Sequence, residues 1–218
     1  MNGSPGIAIF DLDYTLLEGD SEAMWCQFLY NRLVVDRHFV LRIEDYYRDY
    51  DAGKLDIHEY EAFLLQPISE YPLPQMLQLR KDYLGEISQA IRPRMIRRLN
   101  WFRSLGYHLL LITAANSFLA EPIAQQLGFS NVICTQVQRV DGRYTTKLAG
   151  LPVFQAGKVT HLDAWLTLHN LTLEKSWGFS DSHNDIPLLE RVQNPVAVTP
   201  DPHLRDHALE KGWKIILR

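Results

Sequence analysis

With 218 residues, 46% of them apolar and 11% aromatic, the chain can bury a sizeable core and is too apolar to be disordered. Its net charge of −4 is too mildly acidic to point to nucleic acid. Two cysteines, Cys26 and Cys134, cannot build a disulfide framework and read as reduced, buried thiols.

The opening MNGSPGIAIF has no basic segment followed by a long apolar one, so no signal peptide is expected. The most apolar stretches, such as LLLIT at 109–113, are too short to span a bilayer. A cytoplasmic protein without a membrane partner is expected, and nothing in the pattern signals an oligomeric state.

GIAIF (6–10) is a short continuous apolar run, the pattern of a strand buried on both faces. From Ser21 to about Arg92 the pattern is helical. Ser21 starts a capped helix carrying Met24, Phe28 and Leu29, a second helix closes near Gly53, Asp56 caps IHEYEAFLLQ, and LPQMLQLRKDYLGEISQAI is amphipathic. This block predicts a small helical bundle. It is also the acidic part of the chain, with 14 Asp and Glu against 8 Lys and Arg over 17–92.

After Pro93 strands and helices alternate: a helix over 94–104, strand YHLLLIT (107–113), helix 117–127, strand NVICT, and a hairpin at VQRVDGRYTT turning on Asp141-Gly142. Helix 157–169, strand KSWGFSD, helix 185–193, strand NPVAVT, a short helix from 202 and strand WKIIL complete the series. The prediction is an α/β, Rossmann-like parallel sheet with helices on both faces, formed by 1–16 and 93–218 and interrupted by an all-helical cap at 17–92.

In open parallel sheets ligands bind beyond the carboxyl ends of the strands. Asp11 and Asp13 follow the first strand, Thr113 ends another, and Asp181 and Asp185 follow SWGFS; Lys158 opens a helix in GKVTHL. A second Asp-Tyr-Asp at 49–51 lies in a helical context with no strand before it and reads as a solvated face, so spacing alone carries little.

Several carboxylates around one point call for a hard divalent cation, and oxygen-only ligands suit Mg²⁺. An isolated Asp ionises at about pH 3.9, so Asp11 would be an anionic nucleophile, with Lys158 steadying it and the phosphoryl oxygens. Thr113 and the backbone N–H groups after it, Ala114 first, can donate to those oxygens. Asp13, crowded by like charge, can carry a proton to a leaving oxygen. These parts suit phosphoryl transfer, whose uncatalysed hydrolysis is so slow that acceleration can reach ~10²¹-fold.

FDLDYT, LLLIT, GK at 157–158 and FSDSHND resemble, in order, the four motifs of the haloacid dehalogenase superfamily, across essentially the whole chain. The helical insert between the first two resembles the phosphoserine-phosphatase-like branch. The resemblance implies Asp11 as the phosphorylated nucleophile and Asp13 as the acid/base, also holding Mg²⁺ through its carbonyl. It further implies Thr113 and Lys158 on phosphate, Asp181 and Asp185 at the metal, and Asn184 orienting its neighbours. Asn116 and Asp20 are candidates to orient or to touch substrate.

Two features depart from that branch. Tyr14 stands where a small or polar residue is usual. The cap arginine that binds a serine carboxylate is expected eleven residues after Gly53, and that position is Leu64. An amine without a carboxylate fits better, with Asp20 for its ammonium; the GKLDI, DGRYT and SDSHND pattern resembles bacterial histidinol-phosphatases. The expected partner is a small phosphorylated metabolite, histidinol phosphate first. Phosphoserine, lipid or other phosphomonoesters and transfer to an acceptor other than water are the alternatives.

Bland readings stand beside each residue. Lys158 alone could be a surface lysine, Thr113 a helix cap, Asp185 the N-cap of the next helix, and His183 a solvated loop residue. The insert's tyrosines read mostly as bundle core and its charge as a solvated surface. A nucleotide-sugar transferase would need a larger fold and explains neither Lys158 nor Asp181 and Asp185. A receiver-type phospho-acceptor domain would lack the insert.

Overall fold

A computed structural model of the chain describes residues 5–217. Residues 1–4 of the opening segment, Arg218 at the far end of the expected core, and the side chain of Asp51 in the second Asp-Tyr-Asp lie outside the described residues. The run GIAIF becomes β1 (Ile7–Phe10). Helices α1 (Ser21–Asn31), α2 (Arg37–Asp51), α3 (Ile57–Leu64), α4 (Gln66–Glu70) and α5 (Leu73–Ile87) follow, with a 3₁₀ turn at Ser88–Ala90.

Next come α6 (Pro93–Ser104), β2 (His108–Asn116), α7 (Ser117–Gln126), β3 (Asn131–Thr135) and the hairpin β4 (Val137–Val140) and β5 (Arg143–Leu148). The chain closes with α8 (Ala156–His169), β6 (Trp177–Ser180), α9 (Ile186–Leu189), β7 (Asn194–Val198), α10 (Pro202–Lys211) and β8 (Lys214–Ile216).

Six strands form one sheet in the order β3-β2-β1-β6-β7-β8, and every pairing in it is parallel. The period-2 geometry of a strand sorts its side chains between two cores. Ala8, Phe10, Leu109 and Leu111 join Phe102, Phe118 and Phe179 on one face. Ile7, Ile9, Leu110 and Ile112 join Leu162, Leu166 and Leu188 on the other. Both faces are therefore covered, which is why these strands read as continuous apolar runs. Phe10 stacks on Phe179 with ring centroids 4.6 Å apart, tying β1 to β6 at the sheet centre.

The helical segment leaves and rejoins the sheet layer at one place. Leu17 and Ile91 form an antiparallel bridge, the Arg92 N–H donates to the Leu16 carbonyl at 2.9 Å, and the Glu18 N–H donates to Ala90 at 2.7 Å. The hairpin turns on Asp141 and Gly142, with φ of 50° and 77°, the geometry its Asp-Gly predicts. β4 and β5 form their own two-stranded sheet, and β5 packs against α3 and α4.

Three expectations need correction. Asp20, not Ser21, caps α1: its Oδ1 accepts the N–H groups of Glu22 at 2.9 Å and Ala23 at 2.8 Å, and Ser21 is already helical. β2 does not end at Thr113; the ladder slips there and resumes with Asn116 opposite Thr135. The helix expected over 185–193 is a 3₁₀ turn, His183–Asp185, followed by a single turn at Ile186–Leu189. Leu189 and Val192 pack directly over Gly178, 3.1 and 3.0 Å from where its Cβ would stand, so this short segment lies close on β6.

Several helices begin where an aspartate replaces the missing backbone acceptors. Asp36, Asp56 and Asp201 cap α2, α3 and α10 as Asp20 caps α1. Cys26 and Cys134 are buried and unpaired. No helix among the described residues is long and apolar enough to cross a membrane.

Candidate active site

β1 and β6 are neighbours, and the strand order reverses between them, which is where an open parallel sheet leaves a crevice. The Asp11 N–H donates to the Phe179 carbonyl at 2.9 Å, so Asp11 and Asp181 leave the sheet side by side. Lys158 crosses this gap from the first turn of α8. Its Nζ donates to Asp11 Oδ1 at 2.7 Å and to Asp185 Oδ2 at 2.7 Å, and the residue is only 4% exposed. Ser180 Oγ donates to the same Asp185 oxygen at 2.6 Å. Asp185 does stand at the start of α9, but its carboxylate makes no cap bond there.

The Gly-Lys pair has a steric reason. A Cβ on Gly157 would meet the Pro152 carbonyl oxygen at 2.1 Å, so the helix can approach that loop only through glycine. Gly157→Ala is expected to cost about 1–3 kcal/mol of stability by pushing the α8 N-terminus away. A denaturant melt equal to the parent's would remove this steric requirement.

Burial pushes the Asp11 carboxyl up to about 6; Lys158 works against that rise and Asp185 adds to it. Asp181 is held well above the usual carboxylate range by burial, then by Asp11 and Asp185, and its Oδ1 accepts from Thr15 Oγ1 at 3.2 Å. Asp13 is also held well up by burial, with Asp20 and Asp11 adding to it; its Oδ1 accepts the Ser21 N–H at 2.6 Å.

Thr113 lies buried behind this group and accepts the Ala115 N–H at 3.2 Å; Thr113 and Ala114 both face the cavity. It does not cap α7: Asn116 stands at that position, and no side chain caps the helix. Tyr14 has a φ of 50° and is 45% exposed, at the lip of the cavity. The left-handed backbone there turns the chain sharply between Asp13 and Thr15, a conformation that costs a side-chain-bearing residue about 1 kcal/mol or more.

The cavity holds about 750 Å³ and runs from these carboxylates to the helical segment. Tyr50 of α2 reaches the loop after β6, its hydroxyl 2.7 Å from Ser182 Oγ. Asn184 accepts from Gln155 Nε2 at 3.0 Å, holding the loop before α8 to the loop after β6. His183 is not a bare loop residue, since Asp201 Oδ2 lies 2.9 Å from its Nδ1 and accepts its N–H at 2.6 Å. Leu64 is buried in the apolar core of α2 and α3.

Sequence reasoning missed a second polar group. Glu22 Oε1 accepts from Asn116 N at 2.8 Å and Nδ2 at 2.6 Å, and its Oε2 accepts from Tyr60 at 3.0 Å. Glu61 shares the Asn116 amide at 3.3 Å, and burial pushes its carboxyl up to about 8. Of these, the sequence marks Asn116 as a candidate and reads Tyr60 as bundle core. Glu22 carries no local signal, because an acid in the first turn of a helix is ordinary dipole chemistry.

Among the described residues no three His, Cys, Asp or Glu side chains converge tightly enough to enclose an ion as they stand. The donor set nevertheless suits a hard cation. Asp185 Oδ1 is buried without a hydrogen-bond partner, and Asp11, Asp181 and Asp185 repel one another through oxygen donors alone.

The haloacid dehalogenase-like hydrolase family model matches residues 8–190. A histidinol-phosphatase of Neisseria meningitidis is 37% identical over 216 residues, 96% of this chain and 97% of that one. A protein of unknown function from Bordetella pertussis superposes with a TM-score of 0.90 at 32% identity, over 98% of this chain and 99% of that one. A substrate-bound phosphoserine phosphatase shares the fold with a TM-score of 0.74 at 15% identity, over 99% and 94% of the two chains. The chain belongs to the haloacid dehalogenase-like hydrolase family. Within it, this is a phosphomonoester hydrolase. Phosphatases of the family generally use Mg²⁺.

Proposed function

We propose that this hydrolase is a Mg²⁺-dependent phosphatase that acts through an aspartyl-phosphate on Asp11, with histidinol phosphate as its leading substrate. The observation that carries the chemistry is the buried bridge of Lys158 between Asp11 and Asp185 at the end of a parallel sheet. Lys158 keeps Asp11 ionised against its burial and fixes Oδ1, which leaves the carboxylate oriented for attack on phosphorus.

As the Asp11 O–P bond forms, the ester P–O bond breaks, and Asp13 gives its proton to the departing oxygen. Asp13 suits that task because burial and like charge keep a proton on it, while Ser21 N–H fixes its direction. Water then attacks phosphorus, Asp13 takes the proton back, and inorganic phosphate leaves Asp11 free. Thr113 and the Ala114 N–H hold phosphoryl oxygens. Asp11, Asp181 and Asp185, with the Asp13 carbonyl, would hold Mg²⁺, whose charge lets two anions meet in line. Residues 17–92 act as a cap on the core of 1–16 and 93–218, and Tyr50 closes it onto Ser182 and keeps water out. The work is done in the cytoplasm on a small metabolite.

Histidinol phosphate is favoured over phosphoserine because Leu64 is buried in apolar core where a carboxylate-binding arginine would be required. The test is phosphate release from histidinol phosphate, phosphoserine and a lipid phosphate, with Mg²⁺ and with EDTA. Histidinol phosphate is expected to turn over fastest and EDTA to stop it. Release undiminished by EDTA would remove the metal, and a preference for phosphoserine would remove the substrate assignment.

A further inference from the structure

Asp181 and Asp185 sit on a loop that like charge pushes apart. Asp181 stands beside Asp11 and Asp185, and the hydrogen bond its carboxylate accepts from Thr15 Oγ1 is a long one, 3.2 Å. Its direction therefore depends on what fixes the main chain around it.

One residue grips that main chain from outside. Asp201 lies in the three-residue loop between β7 and α10. Its N–H donates to the Asp181 carbonyl at 2.8 Å, and its Oδ2 accepts the His183 N–H at 2.6 Å and lies 2.9 Å from His183 Nδ1. The two main-chain contacts flank Ser182, so they fix both ends of a short stretch that one contact would leave free to swing. The second oxygen, Oδ1, accepts the Leu204 N–H at 2.8 Å and caps α10. Each carboxylate oxygen thus faces an N–H, a double task that an amide with its one acceptor oxygen could not perform. His203 adds its ring, edge-on to His183 with centroids 5.4 Å apart.

The loop that carries Asp201 is itself held under strain. Thr199 has a φ of 46°, a left-handed conformation that a β-branched residue rarely adopts. Such a conformation persists only where the surroundings over-determine it, and it clusters at functional sites. Here the Thr199 N–H donates to the Ile216 carbonyl of β8 at 2.7 Å, and its Oγ1 accepts from Arg92 at 2.8 Å. Arg92 is 6% exposed and also donates to the Leu17 carbonyl at 2.9 Å, so the anchor stands where the helical segment rejoins the sheet. Pro200 and Pro202 restrict the backbone on both sides of Asp201.

We infer that Asp201 is a positioning residue of the phosphatase site. Anchored through Thr199 and Arg92, it holds Asp181 and the turn leading to Asp185 in the direction that a divalent cation requires, and it acts only through them. This rests on the Mg²⁺-dependent reading of the sheet end.

The test is Asp201→Ser. Serine caps a helix about as well as aspartate, so α10 keeps its cap, while one short hydroxyl cannot also hold His183. In a calorimetric titration with MgCl₂ the dissociation constant is expected to rise about 10-fold or more, with a thermal melt close to the parent's. Raising Mg²⁺ should restore phosphate release from histidinol phosphate, which a merely structural defect would not allow. Thr199→Gly gives a second reading: glycine takes the left-handed backbone freely and keeps the loop, but drops the Arg92 anchor, and the constant is expected to rise again. A parent-like constant in either variant, or a loss of turnover that added Mg²⁺ leaves in place, would overturn the brace alone. A wild-type protein that took up no Mg²⁺ in the same titration would overturn the metal reading, and the brace with it.

Discussion

Asp11→Asn is expected to abolish phosphate release, by about 10⁴-fold or more in kcat, while leaving a folded protein. The amide keeps the size and can still accept from Lys158 Nζ, so the 2.7 Å contact has a replacement; what is lost is the anionic oxygen that attacks phosphorus. Single-turnover phosphate release beside a thermal melt checks both halves. Retained turnover would sink the nucleophile assignment, and a collapsed melt would show that the carboxylate is needed for folding first.

The second large effect is expected from Lys158→Met, and it differs in kind. Removing one partner of a buried ion pair leaves the other charges uncompensated, at a cost of about 3–5 kcal/mol. Here two carboxylates, Asp11 and Asp185, lose the same cation, and both are buried. Turnover and stability should therefore fall together, where Asp11→Asn loses turnover alone.

The loss should also depend on pH. Asp11 already binds its proton more tightly folded than unfolded, with a carboxyl raised from 3.8 to about 6. Without Lys158 the rise is larger. A raised carboxyl contributes stability below its unfolded pKa and loses it as pH rises through the folded value. The deficit of Lys158→Met should thus be smallest near pH 4 and grow past pH 6. Urea melts at pH 5 and pH 8 in EDTA read this directly, and a deficit independent of pH would refute the electrostatic account.

The sheet end was legible in the sequence because each piece carries its own local signature. Apolar runs bounded by carboxylates mark β1 and β6, and Gly-Lys opens a helix; parallel topology then brings the pieces together without further information. Lys158 illustrates the gain: alone it reads as a surface lysine, and its ion pairs with Asp11 and Asp185 bury it at the sheet end. What was not legible is long-range and compensatory. Nothing local in Ser21-Glu22 says that Glu22 will be buried 94 positions away from its partner Asn116. The ladder slip after Thr113 is equally silent in LLLITAAN, because a bulge is set by neighbouring strands. The hairpin was visible as a hairpin, from Asp141-Gly142, but its packing on α3 and α4 is a tertiary fact. Tyr14 falls between: its place beside the carboxylates was evident, and its left-handed backbone was not.

The slip in β2 has a further meaning. Thr113 precedes it and faces the phosphoryl end; Asn116 follows it and grips Glu22. One strand thus carries both Thr113, which faces the cavity, and Asn116, which holds Glu22 of α1. The sheet and the helical segment are therefore fastened together through β2 as well as through the bridge of Leu17 with Ile91, and the two fastenings lie at different points along the chain's path.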